Sequence, residues 1–197
     1  MKFLVLAAFD PELVRFRELV MDEIACDAVG VGLVDAAAGV TRCILRHRPT
    51  HVLLIGTCGG LRIATGEVVC GSRARLVAPK GEELPPPLVS DQDFDAELTA
   101  TLVSAGAKCV QIANTVGVTT DDVAAARLAE EHDVEHLEAF AFARACASLG
   151  VAAGVVLGVA NAVGSAGRAE WRANHVAASA RAADVAWRAI KTSTTKR

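Results

Sequence analysis

A chain of 197 residues, 52% of them hydrophobic, can bury one substantial core, which predicts a single domain over 1–197. A formal net charge of −3 supplies no basic field for a nucleic-acid backbone or an anionic membrane, and 4% aromatics with no Tyr leave little material for base stacking or an aromatic protein interface. The composition points to a small-molecule ligand.

Six cysteines (26, 43, 58, 70, 109 and 146) are scattered, with no Cys-x-x-Cys pair and no Cys/His cluster at zinc spacing. They read as reduced, small apolar residues, and no metal or cofactor is expected. The apolar segment at 3–8 is too short to span a membrane and runs at once into Asp10 and Pro11. It predicts the first core strand of a cytoplasmic protein.

From that strand the chain turns through Phe9 and Asp10-Pro11-Glu12 into a helix reaching about residue 21, with Leu13, Phe16, Leu19 and Val20 at helical spacing. Proline and acidic residues both favour a helix start. Glu12 thereby lies just past a strand end, where sites form, although an isolated first-turn acid is more often a partner of the helix dipole. Phe9 either lines the same cleft or is simply core.

Residues 28–32 predict a short strand and 34–48 a helix. The pattern Gly30-x-Gly32-x-x-Asp35 lacks the third glycine of a dinucleotide fingerprint, and no acidic residue follows about twenty positions on. Dinucleotide binding is set aside. The run 52–61, Val-Leu-Leu-Ile-Gly-Thr-Cys-Gly-Gly-Leu, predicts a strand buried on both faces that stops in small residues. Gly56, Thr57, Gly59 and Gly60 then sit where backbone can approach a ligand closely.

Strands are predicted at 66–70 and 75–78, and the segment 79–87, with three consecutive prolines, predicts a loop edging a site or a subunit contact. A helix over 95–105 and a strand over 107–113 follow. The segment 114–121 supplies several polar residues, and Thr119 and Thr120 are candidates for sugar or base contacts, with helix capping ahead of Asp122 as the plainer reading.

The segment 136–149 predicts a strongly apolar helix carrying Glu138 among Leu137, Ala139 and Ala141. A carboxylate in such a setting is costly unless something pairs with it, which singles it out. A strand over 155–160 ends at Asn161, and a last helix over 168–191 carries Trp171, Val176 and Trp187 ahead of a frayed polar tail at 192–197. Apolar strands alternating with helices predict an α/β fold, a single three-layer αβα domain with a central, mostly parallel but mixed sheet. Glu12, the Gly56 loop, Thr119 with Thr120, Glu138 and Asn161 all fall at or just past strand ends, and converge on one cleft.

In its order of segments the chain resembles the nucleoside phosphorylase and nucleosidase superfamily. The likeness rests on the Glu12 turn, Val29-Gly30-Val31-Gly32 with Asp35-Ala36-Ala37, Gly56-Thr57-Cys58-Gly59-Gly60-Leu61, and Leu137-Glu138-Ala139-Phe140-Ala141. The resemblance implies cleavage of the N-glycosidic bond of a purine nucleoside, with phosphate or water as nucleophile. It implies that Glu138 holds ribose hydroxyls and Glu12 orients the water; Phe9, Gly56, Thr57, Gly59, Thr119, Thr120 and Leu137 are the candidates to line the substrate. Such residue types suit an oxocarbenium-like transition state, which carboxylates stabilise while one of them accepts a proton from water.

Two departures from the family pattern refine this. Leu54 stands two residues before Gly56, where phosphorylases resembling the bacterial hexameric type carry a phosphate-binding arginine; a phosphate there loses a charge-assisted, bidentate partner, which favours hydrolysis, with Arg15, Arg17 and Arg62 left as potential substitutes. Asn161 stands where methylthioadenosine and adenosylhomocysteine nucleosidases have an aspartate. An amide accepts at a protonated N7 and donates to an oxygen at C6, which implies a hypoxanthine-like base.

Val159-Ala160-Asn161-Ala162-Val163-Gly164, followed by Arg168 and Trp171, resembles the futalosine hydrolase branch, which releases hypoxanthine from futalosine in menaquinone biosynthesis, although the acidic residue expected near Ala166 or Gly167 is absent. The implied protein is a homodimeric nucleosidase that needs no cofactor. The alternatives are a methylthioadenosine/adenosylhomocysteine nucleosidase, a purine nucleoside phosphorylase with a rearranged phosphate site, or a nucleoside-binding module without turnover.

Overall fold

The most apolar run makes the central strand. In the computed structural model, which describes residues 1–21, 23–78 and 90–195, strand β3 (His51–Gly60) sends Val52 and Leu54 into one hydrophobic cluster and Leu53 and Ile55 into another. A strand buried on both faces has no polar face to alternate with, which is why its sequence is continuous rather than period two. It pairs in parallel with β1 (Phe3–Ala7) and β8 (Ala152–Ala162), equally apolar runs.

Helices cover both faces. On one side α2 (Leu33–His47) and α5 (Ala139–Ser148) contribute Val40, Cys43, Phe140, Phe142 and Cys146 to the first cluster. On the other, α1 (Val14–Val20), α3 (Ala96–Ser104) and α6 (Gly167–Thr195) contribute Phe16, Leu98, Leu102 and Ala186. The remaining described helix is α4 (Asp122–Glu131), and none of them is long and apolar enough to cross a membrane.

The remaining strands are β2 (Ala25–Ala28), β4 (Val68–Leu76), β5 (Asp91–Asp93), β6 (Lys108–Asn114) and β7 (Val134–His136). The order is β2-β1-β3-β7-β6-β4-β5, and β8 joins both β3 and β4, so the middle of the sheet closes on itself. Parallel pairings predominate, while β3–β7, β4–β5 and β4–β8 are antiparallel. This is the mixed αβα arrangement the alternation predicted.

Several boundaries differ from the sequence reading. The two strands expected at 66–70 and 75–78 are one, β4, whose Arg73 and Arg75 sit beside Asp93 and Asp91 of the unpredicted edge strand β5. The strand expected at 28–32 lies earlier, at β2, and Gly30 and Gly32 instead take positive φ in the turn that leads to α2. β3 does not stop at its small residues but continues through Gly59 and Gly60, which pair with β7. The helix expected from 136 starts at Ala139, because residues 134–136 are strand β7. α6 runs past 191 to Thr195, and the proline-rich segment 79–87 lies outside the described residues.

Candidate active site

β1 ends at Ala7, and the chain drops through a short 3-10 turn, Asp10–Leu13, before α1 begins. The tight turn points Glu12 inward rather than along the helix surface, and its side chain is buried at 4% exposure. Glu12 is therefore not a solvated acid, although it does lie in the first turn of this short helix, where the plainer reading put it. Thr57 Oγ1 donates to Glu12 Oε1 at 2.9 Å, and Trp171 Nε1 of α6 donates to Thr57 Oγ1 at 3.1 Å. Gly56 lies directly beneath: a Cβ there would stand 2.6 Å from Glu12 Oε2. Burial pushes the Glu12 carboxyl up to about 8; the Thr57 hydroxyl opposes this and the negative charge of Glu138 adds to it.

Glu138 therefore lies near enough for its charge to act on Glu12. Glu138 sits at the start of α5, and the sequence there frees its side chain from capping duty. His136 Nδ1 accepts the Glu138 and Ala139 amides at 3.1 Å each, and Asn114 Oδ1 accepts the Phe140 amide at 2.8 Å. Asn114 Nδ2 also donates to Leu137 O at 3.0 Å, so β6 and β7 together fix the turn. The Glu138 carboxylate, buried as expected, accepts the Gly32 amide on Oε1 at 2.7 Å. Both α2 and α5 therefore begin beside it, and the positive ends of their dipoles favour negative charge at that point.

Glu138 Oε2 lies 3.3 Å from His136 Nδ1. Burial lowers the His136 pKa, and its Nδ1 is already taken by two backbone donors, so the ring is neutral and the contact is not an ion pair. Among the described residues no N–H or O–H donates to Oε2, which keeps its capacity to accept a hydrogen bond.

Asn161 is set by a bulge. Opposite β3 the register of β8 slips between Cys58 and Gly59, so Asn161 rather than Ala160 faces Gly59. Its Nδ2 donates to Ala162 O at 2.7 Å, leaving the second amide hydrogen and Oδ1. Thr57 and Gly59 lie two apart on one strand and so share a face. The first turns of α6 cover it: Gly167 lies against Asn161, and Trp171 against Thr57. Phe9 completes this wall with its ring 6.1 Å from that of Trp171, while Leu137 is half-buried between β7 and α5.

The two threonines behave differently. Thr119 donates through its amide (3.2 Å) and its hydroxyl to the buried Glu135 of β7, which also accepts Thr115 Oγ1 at 3.0 Å. Thr120 is exposed, and the cap of α4 is Asp121, accepting the Ala124 amide at 2.7 Å. Neither threonine bonds a member of the carboxylate pair. A separate groove of about 830 Å³, lined by Arg75, Val77, Thr119, Arg127 and His132 among others, contains none of Glu12, Glu138 or Asn161; volume alone does not mark the chemistry here. Among the described residues no three His, Cys, Asp or Glu side chains gather to hold a metal.

A family model described as "Phosphorylase superfamily" matches residues 16–191. The chain belongs to the phosphorylase superfamily. A comparison with curated protein sequences finds no match. Solved structures of the same fold include the native futalosine hydrolase of Helicobacter pylori, with a TM-score of 0.89 at 15% identity over 98% of each chain. They also include methylthioadenosine/S-adenosylhomocysteine nucleosidases of Helicobacter pylori (TM-score 0.88, 15% identity, 98% of each chain) and of Neisseria meningitidis (0.86, 21%, 98% of this chain and 100% of that one). At these identities the likeness shows a shared fold, that of the nucleoside phosphorylases and nucleosidases.

Within the superfamily fold, the residues that sequence reasoning passed over as site members are Gly32, Asn114, His136 and Trp171. Gly32 carried a signal in the near-miss glycine pattern, and Trp171 in the segment following Asn161. Asn114 had none, because a polar side chain that satisfies a distant element's helix start is invisible until strand order brings the two together; His136 lies only two and three residues before the amides it accepts, in a stretch whose sequence predicts helix.

Proposed function

We propose that this superfamily member hydrolyses the N-glycosidic bond of a purine nucleoside, releasing hypoxanthine from futalosine or a closely similar 6-oxopurine nucleoside, a step of menaquinone biosynthesis. The observation that carries the reading is the pair of buried carboxylates, Glu12 and Glu138, within electrostatic reach of each other and anchored by separate elements. Glu138, anchored by the Gly32 amide and with Oε2 open, accepts the ribose hydroxyls and balances the positive charge that grows on the sugar as the base departs. Glu12 takes the proton of the attacking water. A pKa near 8 suits a general base at neutral pH, since proton affinity and the ionised fraction are then both appreciable. Asn161 accepts from N7–H through Oδ1 and donates its remaining amide hydrogen to the oxygen at C6.

Water rather than phosphate is favoured by what surrounds the cleft. Leu54 is buried in the core, and the three arginines that could have substituted are engaged elsewhere: Arg15 with Glu18 and Asp184, Arg17 with Asp10, Arg62 with Asp133. A phosphate dianion would meet two carboxylates with no such partner. The reading also takes the enzyme to be a cytoplasmic homodimer, for which exposed Val31 and Val34 beside Gly32 offer apolar surface.

Incubating the purified protein with futalosine, inosine and methylthioadenosine, with and without phosphate, and following free base tests this directly. Hypoxanthine release from futalosine without phosphate is expected. Release only with phosphate would overturn hydrolysis, adenine release would overturn the role given to Asn161, and tight nucleoside binding without any release would make the protein a binding module.

A further inference from the structure

Glu12 is buried, carries the proposed water-activating role, and among the described residues has no lysine or arginine bonded to it. Its ionised form must therefore be supported by neutral donors. Thr57 Oγ1 is one, at 2.9 Å from Glu12 Oε1, but a hydroxyl is an ambiguous partner: it can donate to a carboxylate or accept from a carboxylic acid. The indole of Trp171 removes much of that ambiguity. Indole N–H is a donor only, and at 3.1 Å it occupies a lone pair of Thr57 Oγ1. A hydroxyl that is already accepting becomes a stronger donor and a poorer acceptor.

Trp171 is itself held. His175, one helical turn on, stacks against its ring at a centroid distance of 4.3 Å, and Phe9 packs at 6.1 Å. Asn174 donates to Ala160 O at 3.0 Å, fixing this turn of α6 to β8. A half-buried ring needed only as filler could be Phe or Leu; here the one polar atom of the ring lands on the hydroxyl that touches Glu12.

We propose that Trp171 is a positioning residue for Glu12, acting through Thr57: by donating to Thr57 Oγ1 it commits the Thr57 proton to Glu12 Oε1 and favours the ionised carboxylate. This rests on the reading of Glu12 as the group that activates water, and it adds the device that keeps a buried glutamate usable without a nearby cation. The other titratable groups facing Glu12 are Glu138 across the cleft and Cys58 on β3, with His175 one step removed behind the indole.

The test reads Glu12 itself. In protein labelled with carbon-13 at the glutamate carboxyls, with the Glu12 signal identified by its loss in Glu12→Gln, the titration midpoint is measured in wild type, Trp171→Phe, Thr57→Val and the double variant. Thr57→Val should move the midpoint up by about one pH unit, the size expected for one charge-assisted hydrogen bond. Trp171→Phe should move it up by less, and the double variant no further than Thr57→Val alone, because the indole acts only through the hydroxyl. Thr57→Ser should restore the wild-type value.

Where a nucleoside is cleaved, the alkaline-rising limb of kcat/KM should move by the same amounts. If none is cleaved, the proposed reaction fails, while the carboxyl titration still decides the role of Trp171. An unmoved midpoint in Trp171→Phe, or additive shifts in the double variant, would overturn the proposal and leave the indole a packing residue. Should Trp171→Phe fail to fold, benzothienylalanine at 171 keeps the ring shape and replaces the N–H by sulfur, with the same outcomes read.

Discussion

The Gly32 amide donates to Glu138 Oε1 at 2.7 Å across 106 residues of chain, tying the start of α2 to the start of α5. Gly32 takes φ 83, a conformation that side-chain-bearing residues rarely adopt, and this turns its N–H toward the carboxylate. Glu138→Gln keeps an oxygen to accept that amide but removes the charge. The expected outcome is a fall in kcat/KM of about a hundredfold or more, with a melting temperature within a few degrees of wild type, read by steady-state kinetics and circular dichroism. Retained activity would mean the sugar is held by other groups.

Gly56 is required by the position of Glu12 above it. A Cβ there would stand 2.6 Å from Oε2 and 2.8 Å from Oε1, so Gly56→Ala must displace the carboxylate. Overpacking of this kind costs about 1–3 kcal/mol, and a displacement of about 1 Å at a reacting group costs roughly a hundredfold in rate. Gly117, where a Cβ would meet nothing within 4 Å, is the matched control. Kinetics and urea unfolding on Gly56→Ala and Gly117→Ala should separate cleanly.

Glu12 also makes stability depend on pH. Its folded value, raised by burial from 4.5 to about 8, lies above the unfolded one, so the folded state holds the proton more tightly. The stabilisation is fully present below pH 4.5 and is lost as pH rises through about 8, amounting to several kcal/mol across that window. Glu12→Gln has no such proton to lose. Urea unfolding at pH 5 and pH 9 should show wild type losing stability relative to the variant; parallel curves would mean Glu12 titrates normally. Catalysis runs the other way, rising with pH through about 8 as Glu12 ionises, and Glu12→Gln should lower the rate by about a hundredfold or more.

Asn161→Asp converts the base-reading amide into an acid. A carboxylate facing the oxygen at C6 is an unpaired contact of like polarity, whereas a carboxyl can protonate adenine. Release of hypoxanthine should fall by about a hundredfold while release of adenine from methylthioadenosine rises, measured by chromatography of free base. An unchanged ratio would place recognition of the base elsewhere.

The layered αβα class, the apolar strands β1, β3 and β8, and helices α2 and α6 are legible in the chain itself, because burial on both faces of a strand or along one side of a helix leaves a local hydrophobic pattern. The same pattern places Glu12 past a strand end and marks Glu138 as a carboxylate among apolar neighbours. It did not distinguish strand β7 from the helix that follows it, since three buried residues carry no period, nor join the two halves of β4, whose Ser72 and Arg73 interrupt the apolar pattern. Trp171 on Thr57, Gly32 on Glu138 and Asn114 on the start of α5 were decided only by tertiary structure. Each of these bonds joins different elements, and their partners meet only once strand order, the β8 bulge and the docking of α6 have been settled by packing of the whole sheet.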